Sequence, residues 1–244
     1  MTGCSPAALV LCLMVATSTV QDPEQRTAVD VELVLATDTS VSMTLDERRI
    51  QVLSYAQAFR DPAVRAAIRS GGRSRIAVTY VEWSGPEVQR VIVPWTLIDG
   101  DASADAFADS IAMTELEIDF NPTALGDAIL FAKELIEANS YEGERKIIDI
   151  SGDGHNNDGM APELARDAAV QAGITINGLP LLIRASDGGS FPARHDPADN
   201  TLAKYYQSAV VGGPGSFEVV VRDIDDLETA LRAKLVREIA SSAR

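Results

Sequence analysis

Short, almost unbroken apolar runs, each followed by residues at helical spacing, constrain this chain more than any other feature. Val31–Ala36 (VELVLA) is nearly continuously apolar after Glu32, Lys146–Ile150 (KIIDI) is rich in isoleucine, and Ile174–Ile183 continues the pattern. A strand with one wet face alternates apolar and polar residues, whereas a strand covered on both faces does not. The stretches between these runs read as helices. Thr44-Leu45-Asp46-Glu47 pairs a hydroxyl with a Glu three positions on, the signature of a capped start, so a helix is expected over Leu45–Phe59. Asp61-Pro62 stops it, and a short helix over Ala63–Arg69 follows. Leu125, Ala128, Ile129, Ala132, Leu135 and Ile136 keep the i, i+3, i+4, i+7 rule, with Pro122 expected as the first helical residue.

The remaining elements complete an alternating series. Arg75–Trp83 and Val88–Trp95, joined by Ser84-Gly85-Pro86, predict a hairpin, and with it one antiparallel strand. Helices are expected over Asp101–Met113, Pro162–Ala172, Thr201–Val210 and Leu227–Ala240, strands over Ile174–Ile183 and Phe217–Val221, and a loop over Arg184–Asp199. Strand–helix alternation predicts an α/β fold: Rossmann-like, doubly wound, a mostly parallel sheet with one antiparallel edge strand and helices on both faces. Ligands of such sheets bind beyond the C-terminal strand ends, where the strand order reverses.

The N-terminus reads as an export signal. Ala7–Ala16 is apolar and uncharged, too short for the ~20 residues that cross a bilayer but suited to a signal core. Small residues follow at Ala16, Thr17 and Ser18, although Met1-Thr2-Gly3 lacks the usual basic residue. The expected organisation is a signal peptide over 1–20, a polar leader over 21–27 and one domain over 28–244, in a secreted protein, periplasmic or extracellular, without stable membrane insertion after cleavage. Cys4 and Cys12 both fall in the signal, so the mature chain would hold no disulfide, zinc–thiolate site or thiol nucleophile. Val10 and Leu11 before Cys12 do not suit lipidation. The net charge of −15 argues against nucleic acid as a partner. It serves solubility or attracts cations and basic partners.

Three oxygen-rich loops fall where a ligand is expected. Asp38-Thr39-Ser40-Val41-Ser42 follows the first buried run, Ser151-Gly152-Asp153-Gly154 follows Ile150, and Asp119-Phe120-Asn121-Pro122-Thr123 precedes a strong helix. In a turn leaving a strand, the Asp-x-Ser-x-Ser spacing lets one carboxylate and two hydroxyls converge. Hard cations such as Mg²⁺ prefer such oxygen donors and keep several waters. The same residues could instead form a turn that caps the following helix. Other features read as structure: Asp99–Asp105 lacks the Gly and Glu positions of a calcium loop, Gly212-Gly213-Pro214-Gly215 lacks the Lys-Ser/Thr of a phosphate loop, and Trp83 and Trp95 flank the hairpin as packing residues. His195 sits in a Pro- and Asp-rich loop, and His155 reads as a rim residue. Asp149, a charge inside an apolar strand, either pairs with a basic residue or faces solvent at the strand end.

Asp38-Thr39-Ser40-Val41-Ser42 resembles the metal-ion-dependent adhesion site (MIDAS) signature of von Willebrand factor A domains. Thr123, in Pro-Thr-Ala-Leu-Gly-Asp-Ala-Ile, resembles that family's threonine before a helix, and Asp153 its Thr-Asp-Gly aspartate, with Gly152 in place of the Thr. The resemblance spans roughly Val29–Arg237 and is nearest to secreted bacterial proteins of this type. It implies a divalent cation held by Asp38, Ser40, Ser42, Thr123 and Asp153, with Mg²⁺ the first expectation and Mn²⁺ or Ca²⁺ the alternatives. It also implies a non-enzymatic module that engages a protein ligand through an acidic side chain completing the metal's coordination. The alternatives are a metal-assisted hydrolase using Asp153 and His155, and a purely structural domain.

Overall fold

The computed structural model describes residues 26–117, 120–183 and 200–240. The signal peptide and most of the leader, Cys4, Cys12, Asp119, the 184–199 loop and His195 lie outside them.

The first strand lies in the middle of the sheet. Strand β1 (Thr27–Asp38) leads through helices α1 (Leu45–Arg60) and α2 (Pro62–Ser70) to β2 (Ile76–Trp83) and β3 (Gln89–Ile98). Helices α3 (Asp101–Ala112) and α4 (Leu125–Ala138) carry it back to β4 (Tyr141–Gly152), then α5 (Pro162–Gln171) and β5 (Ile174–Pro180). A short α6 (Thr201–Tyr205) runs into a π-helical turn over Tyr206–Val210, and α7 (Leu227–Ile239) closes the fold. The five-stranded sheet has the order β3-β2-β1-β4-β5, with only the β2–β3 pairing antiparallel. This is the α/β architecture expected, and its order reverses between β1 and β4.

Alternation along each strand divides the core. Val31, Leu33 and Leu35 face one apolar layer with Tyr55, Phe59, Phe107 and Leu231 from the helices, while Val34 and Ala36 face the other with Leu125, Ile129 and Tyr206. The capped start of α1 is as read: Thr44 N–H donates to Glu47 Oε2 at 2.8 Å and Glu47 N–H to Thr44 Oγ1 at 3.2 Å. In the rejected calcium loop, the Ser103 hydroxyl accepts from the backbone N–H groups of Asp99 and Gly100, a helix start rather than an ion site. Trp83 is buried in the core, and Trp95 packs near Tyr141.

Several boundaries differ from expectation for identifiable reasons. β4 is more than twice as long as the Lys146–Ile150 run, because its polar first half pairs with the equally extended start of β1. Pro122 is not helical. The amides of Thr123 and Ala124 are taken by Asn157 Oδ1 and the Ser84 carbonyl, so α4 starts only at Leu125. β5 stops at Pro180 because β4 ends at Gly152, whose carbonyl accepts the Leu181 N–H at 3.0 Å. Phe217–Val221 is not a ladder strand but touches this edge through isolated bridges at Gly178–Glu218 and Leu181–Val221, since Pro180 between them has no N–H to donate. The helix expected over Thr201–Val210 is α-helical only to Tyr205.

Asp149 resolves into a buried charge cluster. Lys234 of α7 places its Nζ 2.5 Å from both Asp149 Oδ1 and Glu238 Oε1, all within the core. Asn177 Nδ2 donates to the same Glu238 oxygen at 2.9 Å. Asp149 thus anchors α7 to the strand that carries Gly152 and leads into Asp153.

Candidate metal centre

The register of the sheet places the first two loops side by side. Asp38, the last residue of β1, pairs with Trp83 of β2, and Thr37 pairs with Ser151 of β4. The strand thus runs two residues past the apolar run, and Asp38 is held by a ladder rather than by a loop. Beyond it the chain turns sharply. Ser40 N–H donates to Asp38 Oδ1 at 2.7 Å, Met43 N–H to the Ser40 carbonyl at 2.9 Å, and Val41 N–H to the Asn121 carbonyl at 3.1 Å. None of Asp38, Ser40 or Ser42 caps α1; Thr44 does so alone.

The side chains form one connected set. Ser40 Oγ lies 3.2 Å from Ser42 Oγ, Thr123 Oγ1 donates to Ser40 Oγ at 3.3 Å, and Ser42 Oγ donates to Asp153 Oδ1 at 2.5 Å. With the Asp38–Ser40 turn, all five residues singled out from the sequence meet at the crevice where the strand order reverses. Asp38, Ser40, Thr123 and Asp153 are buried, and Ser42 is half-buried. Burial, then the charge of Asp153, pushes the Asp38 carboxyl up to about 7. Two carboxylates in one buried crevice repel each other, and the hydroxyls between them cannot neutralise either.

A divalent cation fits this donor set. Asp38 and Asp153 are both buried in the one crevice, and the charge of Asp153 bears unfavourably on Asp38, a repulsion that a cation held between them relieves. Among the described residues no cluster of three or more His, Cys, Asp or Glu side chains could hold a metal. The chemistry therefore rests on hydroxyls and two aspartates, a hard-oxygen set suited to Mg²⁺-like ions. Ser40, Ser42 and Thr123 would hold the ion through hydroxyls, with Asp38 and Asp153 supplying the negative charge.

The third loop is held by residues whose role the sequence reading did not identify. Asn157 Oδ1 accepts the Thr123 N–H at 2.9 Å, and Asn157 N–H returns a bond to the Thr123 carbonyl at 2.9 Å. Asn156 Oδ1 accepts from Gly126 N–H in the first turn of α4, and Asn156 N–H donates to the Tyr205 hydroxyl. Both asparagines lie in a segment whose polarity reads as an ordinary loop. The one sequence signal was an Asn pair directly after Asp-Gly-His, since Asn side chains mimic backbone partners. Gly126 is required here, because a β-carbon would lie 2.2 Å from the Met160 carbonyl oxygen. The exposed His155 packs its ring against Tyr205, with centroids 4.4 Å apart and the planes tilted by 50°.

Comparison with known proteins agrees with this architecture. The model of the family described as "Protein of unknown function (DUF1194)" matches residues 28–243. No curated protein matches the sequence. Among solved structures, proximal thread matrix protein 1 from the mussel byssus, with a zinc-occupied MIDAS motif, is 16% identical with a TM-score of 0.58 over 88% of this chain. The pilus adhesin SpaC of Lactobacillus rhamnosus GG is 11% identical with a TM-score of 0.59 over 89% of this chain. A von Willebrand factor type A protein from Catenulispora acidiphila is 18% identical with a TM-score of 0.50 over 87% of this chain. This chain spans 49%, 31% and 43% of those chains respectively, and at such identities the likeness establishes the fold.

Proposed function

Since this chain belongs to the DUF1194 family and has the von Willebrand factor A fold, we propose that it is an exported, non-catalytic binding module that holds a divalent cation, Mg²⁺ first, and engages a protein partner through it. Asp38, Ser40, Ser42, Thr123 and Asp153 hold the ion, and an acidic side chain of the partner completes its coordination. The observation that carries this reading is the connected set of three hydroxyls between two buried aspartates. Uncharged hydroxyls leave the ion electrophilic, so a carboxylate from outside is a favourable further donor. The zinc-occupied MIDAS of the mussel protein supports divalent metal as the occupant class. The apolar run Ala7–Ala16 supports export, and among the described residues no helix is long and apolar enough to cross a membrane.

The test is capture of partners from the native host by the immobilised domain, with Mg²⁺ and with EDTA. One protein retained only with Mg²⁺, and lost with Asp38→Ala, is the expected result. Retention that ignores EDTA would overturn the metal-completed contact.

A further inference from the structure

Asp38 Oδ2, the oxygen turned away from Ser40, lies against an unusual neighbour. Tyr206 is fully buried, and its hydroxyl, like Asp38 Oδ2, has no hydrogen-bond partner. A β-carbon built on Gly152 would sit 2.8 Å from the Tyr206 hydroxyl and 2.9 Å from Asp38 Oδ2. One buried donor and one buried acceptor thus flank a single point, which only a glycine leaves open.

The tyrosine is seated there by several features. A β-carbon on Gly178 of β5 would lie 2.6 Å from Tyr206 Cδ1, so a second strand glycine makes room for the ring. Glycine inside a strand weakens it and marks a close approach, and here two adjacent strands have one facing the same side chain. Tyr206 opens the π-helical turn over Tyr206–Val210, a distortion that re-aims side chains and recurs at functional sites. The preceding tyrosine serves the same crevice from outside, its hydroxyl accepting the Asn156 N–H at 3.2 Å.

We infer that Tyr206 is a positioning residue of the metal centre, its hydroxyl donating to Asp38 Oδ2 through one bridging water, so that Asp38 presents its other oxygen towards the cation. The donor comes from the turn after α6 because residue 152 of β4 has no side chain to supply one. A hydrogen bond to the far oxygen of an ion-holding carboxylate fixes its orientation, and losing such a bond weakens metal affinity by about 10–100-fold. The inference rests on the metal reading above, and the experiment separates the two.

Mg²⁺ and Mn²⁺ are titrated into the full chain by calorimetry. Fluorescence of Trp83, whose Cζ2 lies 3.4 Å from the same point, is followed in parallel in a Trp95→Phe background. Tyr206→Phe keeps the ring and removes only the hydroxyl. It is expected to bind the ion at least ~10-fold more weakly, while the metal-free protein still melts cooperatively within a few degrees of the wild type, since a single neutral hydrogen bond adds little net stability. Gly152→Ala, which leaves the hydroxyl but puts a methyl between the two oxygens, is expected to weaken binding as well. Wild-type affinity in either variant overturns the inference and leaves the metal site standing, as does a Tyr206→Phe protein whose metal-free form no longer melts cooperatively near the wild type. A wild-type protein that binds neither ion overturns both.

Discussion

Replacing Lys234 by Met tests how the sheet is tied to its last helix. Met preserves the volume of the aliphatic stem and removes the ammonium that lies 2.5 Å from both Asp149 Oδ1 and Glu238 Oε1. Two buried carboxyls then share one site with no cation. Breaking a buried ion pair by deleting one partner costs about 3–5 kcal/mol, out of the ~5–15 kcal/mol that stabilise a typical domain. At 2–4 °C per kcal/mol for this size class, the melting point should fall by about 6–20 °C near neutral pH. The loss should also depend on pH. Burial first, then the charge of Asp149, already pushes Glu238 up to about 7, and burial raises Asp149 as well. Without Lys234 both rise further, so at pH 5 the folded variant takes up protons and part of the penalty vanishes, whereas at pH 8 more of it is felt. Urea denaturation of both proteins at the two pH values, with EDTA present, measures this. A loss under about 1 kcal/mol, or an equal loss at pH 5 and pH 8, would refute the account of the cluster.

Further expectations concern single positions. A carboxyl whose folded pKa is raised binds more protons folded than unfolded, so its contribution falls as pH rises from the ordinary Glu value towards about 7. Glu238→Gln should therefore flatten the decline of the urea midpoint between pH 5 and pH 8, and an unchanged slope would contradict this. Asn157→Ala leaves the Thr123 N–H without its acceptor. Because Asn157 is exposed and water can reach the freed amide, the substitution should cost about 0.5–1.5 kcal/mol in denaturation and weaken metal binding, while Asn157→Asp, which keeps the acceptor, should cost less. Gly126→Ala would drive a methyl into the Met160 carbonyl and should destabilise by about 1–3 kcal/mol; a neutral melt would show that the loop yields freely.

What the sequence made legible was what depends on residue type at short spacing. Continuous apolar runs marked the buried strands, Thr44 and Glu47 marked the start of α1, and hydroxyls and aspartates beyond two strands marked the crevice. What it hid depends on partners far along the chain. Lys234 lies on the last helix, so nothing near Asp149 announced its partner. The first half of β4 alternates exposed and half-buried residues and becomes a strand only because β1 extends alongside it. Pro122 suggested a helix start on local grounds, but an Asn157 side-chain oxygen and the Ser84 carbonyl, from two other loops, take the amides of Thr123 and Ala124, delay the helix and leave Thr123 facing the site. The roles of Asn157 and Tyr206 lie in what they reach, which no local spacing encodes.

The most direct test of the central claim is calorimetric titration of Mg²⁺ into the metal-stripped protein beside Asp38→Ala and Ser40→Ala. The account predicts saturable binding of one ion by the wild type and its loss in Asp38→Ala, with clear weakening in Ser40→Ala. Absence of wild-type binding, or binding unchanged in both variants, would contradict it.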